Sequence, residues 1–90
     1  MEYHSRINPA TGSISGIIND KIAQGYKGGD IQLTGYAPPD SYLGDAYGII
    51  KWVLVFNDIA HLQFIKAREN TTITRAISST ESLDTGWVVH

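Results

Sequence analysis

Ninety residues without a cysteine make one domain, 1–90, with neither a disulfide framework nor a thiolate metal site to reinforce a small core. A chain this short removes only about 60–65% of its unfolded surface from water, so its margin of stability is thin and self-association is an easy way to widen it. A net charge of −2, with seven Lys and Arg residues scattered along the chain, excludes the basic stripe that DNA or RNA binding needs. No apolar run nears the ~18 residues of a membrane span, since even the stretch 49–56 carries Lys51.

Residues 1–12, with Asn8-Pro9 and Gly12 among polar neighbours, read as a flexible arm or a first short strand. They show no apolar stretch of the kind a signal peptide needs, which makes the cytoplasm the expected location. From Ser13 the pattern changes. Ile14, Ile17, Ile18 and Ile22 fall on one helical face, with Asn19, Asp20, Lys21 and Gln24 opposite. Ser13 or Ser15 supplies the N-cap and Gly25 the stop. This amphipathic helix needs a surface to lie on.

That surface is a sheet. Residues 30–36 alternate Ile31 and Leu33 with Gln32 and Thr34, and Pro38-Pro39 ends the strand because proline cannot donate to a ladder. Residues 40–47 read as a loop. Residues 49–56 and 59–67 form two β-rich runs about Asn57-Asp58, residue types that tolerate the positive φ of a two-residue hairpin turn. A single helix over 41–56 is the competing reading, but Trp52-Val53-Leu54-Val55-Phe56 is a β-branched and aromatic run. With Phe56 opposite Ile59, a regular hairpin puts Trp52, Leu54, Phe56, Ile59 and His61 on one face. Val53, Val55, Ala60, Leu62 and Phe64 take the other. Both faces are then apolar, and the second calls for a covering such as another subunit.

Arg68-Glu69-Asn70 makes the next turn and residues 71–75 a short strand. Ser78-Ser79-Thr80-Glu81 has the S-x-x-E form of a capping box, predicting one helical turn through Leu83 before Asp84-Thr85-Gly86 breaks it and Trp87-Val88-Val89 closes as a strand. The expected class is α+β: one N-terminal amphipathic helix on a small antiparallel sheet, with a short C-terminal helical turn and terminal strand.

Catalysis finds little footing. The histidines are His4 in the arm, His61 in the hairpin and His90 at the end, and no H-x-x-x-H or H-x-E pairing exists for a metal. Asp40, Asp45 and Asp84 are unpaired in sequence, and no cofactor is called for. The glycines from 25 to 29 lack both phosphate-loop spacings. A non-catalytic binding protein is expected.

Residues 66–89 allow a comparison. Lys66, the turn Arg68-Glu69-Asn70, the strand Thr71-Thr72-Ile73-Thr74-Arg75, Ser78-Ser79-Thr80-Glu81, Leu83 and Trp87-Val88-Val89 follow one another without a gap. This stretch resembles the C-terminal half of the small phage proteins that counter bacterial Thoeris defence. Their pattern there is a lysine, a turn, a threonine-led strand ending in Pro-Trp, then S-x-x-D-x-L and Asp-Trp before a valine-rich end. Upstream, the helix ending at Gly25 and the pair Gly35-Tyr36 look like that family's opening helix and its Gly-Trp.

The resemblance implies a homo-oligomeric sponge, a tetramer in that family. It sequesters a cyclic nucleotide-derived signal, glycocyclic ADP-ribose or a cyclic oligonucleotide, in the host cytoplasm without cleaving it. Carried over by position, the ligand-binding residues are Tyr36 and Arg75, where the family has tryptophans, together with Ser78 of the capping turn and Trp87. The sequence departs from the family at Leu33, where the family has arginine, and at Ala37-Pro38-Pro39, where it has Asn-Gly-Lys. It departs again at Thr74-Arg75, where it has Pro-Trp. An arginine can still lie on a purine face or pair with phosphate. The same residues also have structural readings: Tyr36 and Trp87 as packed aromatics, Arg75 as a solvated strand residue, and Ser78 with Glu81 as a cap. The competing function is a protein-interaction module that inhibits a host protein through an apolar sheet face.

Overall fold

The computed structural model describes residues 4–90; the first three residues of the expected N-terminal arm lie outside the described residues. The chain runs β1 (His4–Ile7), α1 (Ile14–Ala23), β2 (Gly28–Thr34), a 3₁₀ turn (Tyr42–Gly44), β3 (Tyr47–Phe56), β4 (Ile59–Lys66), β5 (Ile73–Ser78), β6 (Leu83–Asp84) and β7 (Val88–Val89). The α+β expectation holds: one helix lies on one sheet of order β1-β2-β3-β4-β5-β6, with β7 also paired to β5. All pairings are antiparallel except β1 with β2, which run parallel because α1 carries the chain back between them. Part of the expected arm is thus a strand of the sheet.

Both ends of α1 follow from local chemistry. Ser13 is the N-cap, its Oγ accepting from Gly16 N at 3.0 Å. At the other end Gly25 takes φ +97°. Gly25 N donates to Ile22 O at 3.0 Å and Tyr26 N to Lys21 O at 3.0 Å, the paired bonds of a Schellman stop. Ile14 and Ile18 are fully buried against Ile31, Ile50, Leu62, Phe64 and Ile73 of the sheet.

The hairpin turns at Asn57-Asp58, with Phe56 opposite Ile59 and Asn57 at φ +50°. Beyond that first pair the register corrects the sequence reading. A bulge between Leu54 and Phe56 leaves Val55 as an extra residue, so Leu54 pairs with Ala60 and Trp52 with Leu62. A one-residue shift exchanges faces. Trp52 and Leu54 therefore face the helix together with Ala60, Leu62 and Phe64, while Val53 and His61 share the outer face. The bulge gathers the apolar set inside and sends the polar His61 and Gln63 out. The outer face is mixed, not uniformly apolar.

The S-x-x-E segment also departs from expectation. Glu81 N does donate to Ser78 Oγ, at 3.2 Å, but residues 79–82 form a turn with Ser82 at φ +50° and the chain enters β6 directly. No helical turn follows because Asp58, at the hairpin tip, draws the segment sideways. It accepts from Ser78 Oγ at 2.7 Å, Ser79 Oγ at 3.0 Å, Thr80 Oγ1 at 2.6 Å and Thr80 N at 3.0 Å. Thr80's hydroxyl and amide, then Ser78, hold the Asp58 carboxyl well below the usual carboxylate range.

Candidate functional site

Arg75 points from β5 into the helix side of the sheet and is 6% exposed. Its guanidinium meets Asp84 in a two-pronged contact, Nε to Oδ1 at 2.9 Å and Nη2 to Oδ2 at 2.7 Å. Nη1 reaches Asp40 Oδ2 at 3.1 Å, and the Trp87 ring stacks 5.5 Å from the guanidinium carbon. Asp40 in turn accepts from Ile14 N at 2.7 Å and Ser15 N at 3.0 Å. The anion position at the start of α1 is therefore occupied by the chain's own carboxylate.

Burial opposes the charge on Asp40, but these amides and the guanidinium outweigh it and hold its pKa below the ordinary value. Hydrogen bonds from Arg75 lower Asp84 against a smaller desolvation. The bonds to Asp84 raise Arg75 in turn, despite burial. Of the three aspartates that look unpaired in sequence, Asp40 and Asp84 are thus both partners of one buried cation, and Asp45 lies 3.7 Å from Lys66.

The other residues singled out by the resemblance divide between two places. Trp87 joins this node, donating from Nε1 to Asp40 O at 2.8 Å and packing on Phe64 with ring centroids 5.9 Å apart. Tyr36, half-buried, donates its hydroxyl to Gly12 O at 3.0 Å, beside the helix start. Ser78 is tied to Asp58 and borders a shallow recess of about 250 Å³ with Ser15, Asn19 and Asp84. Tyr36, Arg75 and Trp87 thus gather around the first turn of α1, while Ser78 is tied to the hairpin tip and makes no bond to any of the three. Arg75 and Trp87 already have their polar groups engaged by the protein.

The outer face of the sheet offers a different surface. A groove of about 550 Å³ crosses β3, β4 and β5 and ends against β7. Register sets its lining in two rows. Lys51 stands opposite Gln63, and Gln63 opposite Thr74; Val53 stands opposite His61, and His61 opposite Ala76. Val88 pairs with Thr74, and His90 Nε2 sits 2.6 Å from Thr74 Oγ1, closing one end. Among the described residues no Asp or Glu side chain lines this groove. Among the described residues Lys51 and His61 make no ion pair or side-chain hydrogen bond.

Sequence reasoning missed Lys51, Gln63, Thr74 and Ala76 because the bulge that aligns them is invisible to a regular hairpin register. One signal was present: only the shifted register keeps Lys51, His61 and Gln63 together and out of the core. The fold and the two sites define a small α+β domain with an open sheet face. No family model, curated protein or solved structure matches this chain. Among the described residues no helix is long and apolar enough to cross a membrane.

Proposed function

We propose that this protein is a non-catalytic binding protein that sequesters a small anionic ligand, a cyclic nucleotide-derived immune signal in the reading that the resemblance of residues 66–89 supports. In that reading it works in the host cytoplasm as a homo-oligomer, countering a bacterial anti-phage defence. The observation that carries the binding role is the open groove on the outer sheet face, whose lining includes Lys51 and His61 and, among the described residues, no Asp or Glu side chain. Its volume of about 550 Å³ falls within the ~300–1,000 Å³ of small-molecule sites. The departures at Thr74-Arg75 and Ala37-Pro38-Pro39 have a counterpart in the geometry, because Arg75 and the start of α1 are saturated by Asp40 and Asp84. The ligand therefore sits on the outer face.

Calorimetric titration and thermal shift against a panel of cyclic nucleotides, glycocyclic ADP-ribose included, test this reading, with the ligand recovered and checked for integrity. Tight binding of an unmodified panel member is expected. Cleavage of the ligand would make the protein an enzyme, and silence across the panel would remove the sponge reading. A second reading has its own observation: Val53 at 52%, Ile65 at 39% and Val88 at 44% exposure lie uncovered. That surface suits an inhibitory protein partner, and a stoichiometric complex recovered from host lysate, with the panel silent, would favour it.

A further inference from the structure

Resting on the binding reading above, we propose that the outer groove holds its ligand in one orientation, with a phosphate-type anion between Lys51 and His61 and a flat apolar body over Ala76 toward Val88. The placement follows from register. Because Lys51 pairs with Gln63 and Val53 with His61, Lys51 and His61 are diagonal neighbours on one face, about 7–8 Å apart at the backbone. A single phosphate-sized anion spans that gap and receives a donor from each side. Next to His61 across the ladder stands Ala76, the smallest side chain of the row Val53, His61, Ala76, and Val88 borders it from the partner position of Thr74. A planar body lies there, and the Thr74 hydroxyl paired with His90 supplies hydrogen bonding at the far end.

Charge sets the sign of the occupant. The charged or titratable groups facing His61 on this side are Lys51 on β3, Asp30 on β2 and His90 at the end of the chain; Gln63, Thr74 and Thr85 are neutral. Asp30 stands opposite Lys51 but is only 7% exposed and already engaged. Lys51 is therefore the exposed side chain of fixed charge on the open side of the groove, and it is positive.

Amide NMR titration of the full chain tests the placement, with cyclic AMP, adenosine and inorganic pyrophosphate as probes. Expected are shifts confined to the amides around Lys51, His61, Ala76 and Val88, with adenosine binding at least about tenfold more weakly than cyclic AMP. Lys51→Met weakens cyclic AMP about tenfold, and Ala76→Leu fills the floor and removes it. Shifts centred on Tyr36 and Trp87, adenosine binding as well as cyclic AMP, or a groove indifferent to Ala76→Leu would each overturn the orientation. Pyrophosphate perturbing Lys51 and His61 while no nucleotide of the panel binds would uphold the anion site and remove the nucleotide reading.

Discussion

Arg75 is a buried cation held between Asp40 and Asp84. As a strand residue among threonines it suggests a solvated cation free to clamp a ligand, yet it is buried with two carboxylates and an indole around it. Removing one member of a buried ion pair leaves the others desolvated and uncompensated. Arg75→Ala is expected to lower unfolding free energy by about 3 kcal/mol in urea titration, against about 1 kcal/mol for Tyr36→Phe, which loses only the bond to Gly12 O. Equal small effects would deny the node its structural weight. Gly48 is a second such residue. Its φ of +144° lies outside what side chains tolerate, and an added methyl would overlap Ile65 O and come within 2.7 Å of the Phe64 ring. Gly48→Ala is expected to destabilise by about 2 kcal/mol or more in thermal denaturation.

At the scale of elements, α1 was legible in the sequence because everything that makes it is local: an isoleucine stripe, a serine cap and a glycine stop. Strands β2, β3, β4 and β5 were legible for the same reason, as runs of suitable period between turn residues. The register of β3 on β4 was not, since a bulge adds nothing to composition and yet exchanges every face beyond it. The S-x-x-E segment shows a local rule overridden by a distant group, Asp58, some 20 residues away. Asp58→Asn is expected to speed amide hydrogen exchange at Thr80 and Glu81 while the hairpin amides of β3 and β4 stay protected. Unchanged exchange at Thr80 would show that the turn stands without its latch.

For the whole molecule, the acid limb of stability is the informative measurement. Asp40 and Asp84 are both held below the ordinary carboxylate value in the fold. The native state therefore binds fewer protons than the unfolded chain, and the stability these groups provide is complete above the unfolded value near pH 4. It drains as pH falls further toward their lowered values. The melting temperature is expected to be flat from about pH 7 to about pH 5 and to drop below about pH 4, with Asp84→Asn blunting the drop. A native melting temperature that holds steady down to about pH 2 would mean that these carboxylates are not coupled to folding.

Composition, periodicity and capping residues by themselves determined the α+β class, the helix and strands β2, β3, β4 and β5, because those depend on neighbours a few positions apart. Only the tertiary structure decided which face each hairpin residue takes and which carboxylates meet Arg75, with Asp40 lying 35 positions away along the chain. Both depend on contacts made through space. A single bulged residue or one long-range ion pair costs little in composition, yet it selects which side chains are left facing solvent and so where a ligand has room to bind.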